Sequence, residues 1–202
     1  AWDHILYTRQ LIDIVQQADA ICDGTLALRS PESHATITEL LKHAKPEAMK
    51  FFDINLRGDH YSKELIEELL GYATVFKIND EELLLLRDMF DIRGTSGEDA
   101  CHWFMDKFNL DYVILTAGAA YSTIISKKGE ASTVDTARVE VVDTVGAGDS
   151  FSGTFTARIL QGDSLVEAHR KAVNTSAFVC TQNGAWPEYP EQIPDYLAAA
   201  GK

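Results

Sequence analysis

Apolar residues along this chain follow two alternating patterns. Short, mostly apolar runs, which are typical of buried strands, lie at residues 20–22, 49–54, 74–78 and 112–116. Between them, apolar residues at intervals of three and four predict amphipathic helices over residues 11–18, 31–44, 65–70, 83–90 and 100–108. Strands that alternate with helices in this way predict βαβ units, and therefore a mostly parallel sheet that helices cover on both faces.

The second half of the chain predicts an edge hairpin and further helices. Residues 121–126 and 131–142 are strand-like and are separated by a turn at Lys128-Gly129, which favours an antiparallel pair. Helices are also expected over residues 150–161, from Ser164 and after Pro194. Two capping pairs mark helix starts, Ser96 with Asp99 and Ser164 with Glu167. No internal repeat or linker interrupts the pattern, so we expect a single domain over residues 1–202.

Charge and composition exclude several classes of partner. The chain has 31 acidic and 18 basic residues and a net charge of -13, and such a surface repels nucleic-acid phosphates. No apolar stretch approaches the ~18 residues that a membrane helix needs, so we expect no membrane partner. The cysteines, Cys22, Cys101 and Cys180, are far apart and form no metal-ligand motif, which favours reduced, buried thiols in a cytoplasmic protein.

Residues 143–151, with the sequence DTVGAGDSF, carry the strongest chemical signal. Small residues at 146–148 let the backbone approach a ligand closely, and amides at the start of a helix attract an anion such as a phosphoryl group. Asp149 follows these amides, where a carboxylate accepts a proton from an attacking hydroxyl. The alternative is a glycine-rich turn whose aspartate only caps a helix. The length of the string favours the functional interpretation, because chance matches of nine residues are rare.

This string resembles the C-terminal signature of the ribokinase (PfkB-type) family of carbohydrate kinases. The resemblance implies that Asp149 is the catalytic base that meets the sugar hydroxyl. It also implies that Gly146, Ala147 and Gly148 form the anion hole for the γ-phosphate of ATP. Thr154 stands where the family usually has glycine or alanine, a departure that leaves the chemistry intact.

Two earlier segments are similar to family motifs in the expected order. Residues 52–57, FDINLR, resemble the FDxNxR strand end of fructokinase-like and ketodeoxygluconate kinase-like members, which implies a substrate contact for Arg57. Residues 77–82, KINDEE, resemble the KxNxxE motif, in which Asn79 and Glu82 help to place Mg²⁺ and the nucleotide phosphates. In isolation the same acids equally fit a helix start whose dipole favours negative charge.

The resemblance assigns the remaining ligand contacts. Thr116 and Gly118, in the string LTAG, align with the segment that borders the nucleotide, although Tyr121 replaces a second glycine that is common in the family. Asn174 falls where the family places an asparagine near the adenine; the alternative is a polar residue on a helix face. Asp143 and the backbone of residues 182–184 match the position of a monovalent cation, K⁺.

The fold implied is a ribokinase-like, Rossmann-type three-layer α/β/α domain. The chain begins at Ala1 rather than with methionine, and nothing in it matches the family's opening βαβ unit, its lid or most of its sugar contacts. We therefore expect that this N-terminal portion is missing. In complete members the lid is expected to support a homodimer.

The activity expected is transfer of the γ-phosphate of Mg·ATP to a sugar hydroxyl. The FDINLR segment favours fructose or a related ketose, while ribose, 2-keto-3-deoxygluconate and nucleosides remain alternatives. No GxxxxGK[ST] motif is present, so the chain is not a P-loop enzyme. Two other classes stay open: a non-catalytic sugar or nucleotide sensor, which would not need Asp149, and an ADP-dependent or hydroxymethylpyrimidine-type kinase.

Overall fold

A computed structural model describes residues 2–92 and 94–199 of the chain. Its strands are β1 (Ala20–Asp23), β2 (Met49–Asp53), β3 (Val75–Asn79), β4 (Tyr112–Ala117), β5 (Tyr121–Ser126) and β6 (Ala131–Asp135). Its α-helices are α1 (Arg9–Val15), α2 (Pro31–His43), α3 (Lys63–Tyr72), α4 (Asp80–Met89), α5 (Gly97–Phe108), α6 (Ala147–Leu160), α7 (Leu165–Cys180) and α8 (Tyr196–Ala199). Two short 3-10 helices lie at Trp2–His4 and Thr25–Leu28.

The strands form one six-stranded sheet in the order β1-β2-β3-β4-β5-β6. The pairs β1–β2, β2–β3 and β3–β4 are parallel. Ala20 lies opposite Met49, Phe51 opposite Val75, and Val75 opposite Tyr112. Helices separate these parallel strands along the chain, as a βαβ arrangement requires. The predicted α/β class with a mostly parallel sheet is therefore confirmed, and the carboxyl ends of β1 to β4 lie along one edge.

The chain divides into two compact units. The first extends to Thr116 and includes Ile125–Gly129, and the second combines Ala117–Ile124 with the residues from Glu130 onward. The prediction of a single domain over residues 1–202 stays a prediction.

The core of the first unit is built on aromatic side chains from the sheet and from α5. Phe52 of β2 stacks on Phe76 of β3 with ring centroids 5.6 Å apart, and Phe76 contacts Phe104 of α5 at 5.3 Å. All three side chains are fully buried. Each such aromatic contributes to stability mainly through the apolar area that it removes from water, and the ring contacts add to this. This packing fixes the adjacent carboxyl ends of β2 and β3.

The second unit is organised around α6 and α7, which pack against each other. Phe151 and Phe155 on α6 and Ala168 and Ala172 on α7 are buried, as their helical spacing predicts. The capping box predicted at Ser164 and Glu167 is present at the start of α7, and that at Ser96 and Asp99 starts α5.

Three expectations from the sequence are wrong in detail. The strand expected over residues 131–142 ends at Asp135. At the far end of the predicted range the backbone bonds outside the sheet, since the Val142 N–H donates to the carbonyl of Cys180 at 2.8 Å. The helix expected from residue 150 begins at Ala147, so Asp149 lies inside its first turn. Cys22 is exposed rather than buried, because strand alternation turns it to the solvent side of β1. Within the described residues, no helix has both the length and the apolar character needed to cross a bilayer.

Candidate active site

Gly146 shapes the loop that leads into α6. Its φ of 82° places it in the left-handed region, and it serves as the N-cap of the helix. A Cβ atom at this position would lie 2.6 Å from the carbonyl oxygen of Ala185, closer than any side chain tolerates. Glycine is thus required here on two grounds, backbone conformation and the approach of another segment.

Asp143 ties this loop to the segment after α7. One carboxylate oxygen accepts the N–H of Val145 at 3.0 Å, and the other accepts the N–H of Gly184 at 3.2 Å. These backbone hydrogen bonds, that of Val145 foremost, hold the pKa of Asp143 below its ordinary value. Asp143 is therefore an anion at neutral pH, and it fixes the relative positions of residues 143–146 and 184–185.

The first turn of α6 presents backbone N–H groups and a carboxylate to the same region. Ala147, Gly148 and Asp149 occupy its first three positions. The Ala147 N–H donates to the carbonyl of Thr144 at 3.2 Å, whereas the N–H groups of Gly148 and Asp149 precede the regular helical hydrogen bonds. Asp149 is exposed, and across residues 2–92 and 94–199 its carboxylate has no hydrogen-bond or ionic partner. The N-cap is Gly146, so the alternative that Asp149 is the capping residue is wrong. The turn combines anion-binding amides with an available proton acceptor.

In the first unit, the carboxyl ends of β2 and β3 carry a second group of candidate residues. Asn79 caps α4 by accepting the N–H of Glu82 at 2.8 Å, and Glu82 returns a hydrogen bond by accepting the N–H of Asn79 at 3.0 Å. The second carboxylate oxygen of Glu82 accepts the N–H of Leu56 at 2.8 Å. Through these hydrogen bonds the Glu82 carboxylate joins the start of α4 to the turn after β2. The residue is buried.

Arg57 lies in that turn, one residue beyond the Leu56 amide. Its side chain is exposed and has no ion pair or hydrogen bond with the rest of the described chain. Asn55 has a φ of 40°, a left-handed conformation that is uncommon for a non-glycine residue. Thr116, at the end of β4, is the register partner of Asn79, so the structure brings Asn79, Glu82 and Thr116 to neighbouring strand ends.

Sequence reasoning missed two polar groups at the same strand ends. Lys77 donates to Asp53 at 2.6 Å, and the pair is almost enclosed, with side-chain exposures of 10% and 19%. Burial raises the pKa of Asp23, at the end of β1, to about 7. The sequence contains a signal for both groups, because a charged residue interrupts each apolar strand segment. Such a residue marks either the end of a buried strand or a charge that is paired in the fold.

Two of the predicted nucleotide contacts lie in the second unit. Gly118 has a φ of 49° and its carbonyl accepts the hydroxyl of Thr136 at 2.9 Å, which fixes the turn between β4 and β5. Asn174 donates its amide N–H to Asp195 at 3.0 Å and accepts the N–H of Leu197 at 3.2 Å. The Asn174 amide therefore holds the start of α8.

These features define an α/β protein in which a helix N-terminus, preceded by glycine, presents backbone amides and an available carboxylate. The family model described as "pfkB family carbohydrate kinase" matches residues 3–192. The chain belongs to the pfkB family of carbohydrate kinases.

Relatives and solved structures agree on the fold. Fructokinase-2 from Solanum lycopersicum is 27% identical over 192 residues, covering 89% of this chain and 57% of the relative. The structure of a fructokinase with bound ATP from Xylella fastidiosa superposes with a TM-score of 0.75 at 20% identity, covering 86% of this chain and 58% of the other. That of an aminoimidazole riboside kinase from Salmonella enterica, in complex with aminoimidazole riboside and an ATP analog, gives 0.71 at 26% identity, covering 88% and 62%. The chain thus spans somewhat more than half the length of these proteins.

Proposed function

We propose that the protein is an ATP-dependent sugar kinase that transfers the γ-phosphate of ATP to a hydroxyl of fructose or a related ketose. The observation that carries the proposal is the first turn of α6. There the exposed Asp149 carboxylate stands next to the amides of residues 146–148, in a chain that belongs to a carbohydrate kinase family.

In this proposal Asp149 accepts the proton of the sugar hydroxyl. The hydroxyl oxygen forms a bond to the γ-phosphorus while the bond from that phosphorus to the β,γ-bridging oxygen breaks, and ADP leaves. The amides of Gly146, Ala147 and Gly148 stabilise the charge on the transferring phosphoryl group. Asp143 contributes by fixing the loop through Val145 and Gly184.

Mg²⁺ would neutralise the ATP phosphates, and the oxygens of Asn79 and Glu82 are the donors proposed for it. The described residues contain no cluster of three or more acidic, histidine or cysteine side chains that could bind a metal alone. In the structure the two Glu82 oxygens and the Asn79 oxygen each accept a backbone N–H, so they would support Mg²⁺ through its bound waters. This arrangement suits Mg²⁺, which keeps several waters and takes further ligands from substrate phosphates. A K⁺ ion beside Asp143 and the backbone of residues 182–184 belongs to the same proposal.

The nucleotide contacts proposed are Asn79, Thr116, Gly118 and Asn174, and Arg57 is the proposed sugar contact. Arg57 suits a polyhydroxyl ligand because its guanidinium offers several hydrogen-bond donors in a fixed geometry. Fructose is favoured by the FDINLR segment and by the fructokinases among the similar proteins. An aminoimidazole riboside kinase is similar at a comparable level, so a panel of substrates is needed.

The test is a coupled ADP-release assay with Mg·ATP and fructose, ribose, 2-keto-3-deoxygluconate and a nucleoside, using a catalytically active preparation that contains this chain. Asp149→Asn should lower kcat by at least ~10²-fold and leave ATP affinity near normal, because it removes only the general base. Glu98→Gln, which removes a negative charge from the first turn of α5, is the matched control and should leave kcat unchanged.

Two outcomes would contradict the proposal. A kcat within a few-fold of wild type in Asp149→Asn would remove Asp149 from the mechanism. ADP release that no sugar or nucleoside stimulates would exclude the kinase function itself.

A further inference from the structure

Within residues 2–92 and 94–199, three helices start with a capping box, and one of these boxes differs from the other two. The boxes of α5 and α7 are exposed. Their carboxylates, Asp99 and Glu167, accept hydrogen bonds from the N-cap serine of the same helix. The box of α4 is different, since Glu82 is only 8% exposed and reaches a residue 26 positions away. A helix cap alone does not require that second contact, as the other two boxes demonstrate.

The second contact holds the backbone on the far side of a strained residue. Asn55 adopts its left-handed conformation between the last residue of β2 and Leu56, whose N–H the Glu82 carboxylate accepts at 2.8 Å. A residue in such a conformation persists when its surroundings enforce it. A hydrogen bond to a buried carboxylate is stronger than one between neutral groups, so it is suited to this purpose.

The part of the turn that is held in this way is the part that carries Arg57. The N–H of His60 donates to the Arg57 carbonyl at 3.2 Å, but no described residue fixes the Arg57 side chain itself. The backbone at residues 55–57 therefore sets the direction of the Arg57 Cα–Cβ bond, and with it the region that the guanidinium can reach. That backbone is anchored on one side by β2 and on the other by Glu82.

We propose that Glu82 is a positioning residue for sugar binding, acting through the Leu56 amide on Arg57. The inference rests on the proposed function, in which Arg57 contacts the sugar, and it adds a role that metal placement by Glu82 does not include. Glu82→Gln retains one acceptor oxygen and replaces the other with a donor. The variant thus cannot accept the two N–H groups in the observed arrangement, in which each carboxylate oxygen accepts one of them.

The kinetic test compares Glu82→Gln, Arg57→Ala and the double variant at saturating Mg²⁺, in an active preparation that contains this chain. Glu82→Gln should raise the sugar KM by roughly tenfold, as expected for loss of one charge-assisted hydrogen bond. It should raise the ATP KM less, because Asn79 keeps its own bond to the N–H of residue 82. In the Arg57→Ala background the same substitution should raise the sugar KM no further, because both changes remove one interaction. Glu167→Gln, which weakens a capping box without a distant partner, should leave the sugar KM unchanged.

Additive effects of the two substitutions, or an unchanged sugar KM in Glu82→Gln, would overturn the proposal. So would an unchanged sugar KM in Arg57→Ala, which would leave Glu82 nothing to position. A titration of rate against Mg²⁺ is measured separately, so that a metal role of Glu82 is distinguished from the positioning role.

A second measurement does not depend on catalysis. Amide hydrogen exchange in the 202-residue chain should show that Leu56 and Asn79 are protected to a similar degree, because one carboxylate holds both. Glu82→Gln should accelerate exchange at Leu56 by roughly tenfold or more, and Glu167→Gln should not. If the Leu56 amide of the unsubstituted protein exchanges as fast as in an unfolded chain, its hydrogen bond to Glu82 is excluded. If Leu56 is protected but no sugar is phosphorylated, the proposed function fails and the positioning role fails with it, although the structural contact stands.

Discussion

At the scale of single residues, Gly146 shows how one position serves two constraints. Its positive φ starts α6 in the orientation that exposes the first amides, and its missing side chain lets Ala185 approach. Asp143 acts on the same loop through Val145 and Gly184. The chemistry proposed for Asp149 therefore depends on neighbours that take no part in proton transfer.

We predict that Gly146→Ala lowers the free energy of unfolding by at least ~1–2 kcal/mol. That is the cost of a left-handed conformation for a residue with a Cβ, and displacement of Ala185 adds to it. Urea denaturation followed by circular dichroism measures the change.

Gly153→Ala is the matched control, because Gly153 lies in the same helix and a Cβ there meets nothing within 4 Å. It should stabilise the protein by about 0.5–1 kcal/mol, as alanine does inside a helix. Equal stabilities of the two variants would show that the loop at residue 146 relaxes freely.

At the scale of secondary-structure elements, His169 connects four elements, α6, α7, β5 and β6. Its ring lies on α7 and is fully buried, with Nε2 2.8 Å from the hydroxyl of Ser122 on β5 and Nδ1 2.9 Å from that of Ser132 on β6. The ring also meets Phe151 of α6 edge to face, at a centroid distance of 5.9 Å. Two hydroxyls satisfy a neutral imidazole, one as donor and one as acceptor.

Burial lowers the pKa of His169 to about 4, which predicts a loss of stability in mild acid. The unfolded chain binds a proton at this residue as the pH falls through about 6.5, whereas the folded chain does so only near 4. The contribution of neutral His169 to the free energy of unfolding is therefore present above pH 6.5 and is lost between pH 6.5 and pH 4. The loss is on the order of 3 kcal/mol.

The measurement is the free energy of unfolding from pH 7 to pH 4 in the unsubstituted protein, in His169→Gln and in His102→Gln. The difference between the unsubstituted protein and His169→Gln should shrink as the pH falls. His102→Gln, at an exposed position, is the control for the substitution itself. Parallel curves for the unsubstituted protein and His169→Gln would contradict the prediction.

At the scale of the whole molecule, the dominant property is the net charge of -13. Like charges on a compact surface repel one another and destabilise the folded state. Exposed ion pairs such as Lys42–Glu39 and Arg9–Asp13 offset little of this, because solvent-exposed pairs contribute little each.

We predict that raising NaCl from about 0.05 M to about 0.5 M at pH 8 increases the Tm by several degrees, since salt of that concentration screens the repulsion. The isoelectric point is near 4.8, so the same addition at pH 5 should give no increase. Differential scanning calorimetry at both pH values measures the effect, and a larger increase at pH 5 would exclude net repulsion as its cause.

The sequence by itself determined the order of the elements and their type. Short apolar runs and period-3.6 patterns at residues 20–117 predicted the parallel strands and their helices, because the strands are buried in the sheet and each helix must bury one face. Capping residues such as Ser96 and Ser164 located helix starts, since their side chains bond only to neighbours in the chain. The string at residues 143–151 predicts an anion site beside a general base, which stays a prediction, and in the structure Ala147, Gly148 and Asp149 of that string form the first turn of α6.

The tertiary structure alone decided which distant groups share a hydrogen bond. Nothing local marks Leu56 as the partner of Glu82, Asp195 as the partner of Asn174, or the two serines as partners of His169. Strand 131–142 was overpredicted for the same reason, because its pattern fits a strand while its later N–H groups find acceptors elsewhere. Local patterns record which face of an element is buried, whereas pairing across the fold depends on loop paths and packing that bring remote segments within about 3 Å.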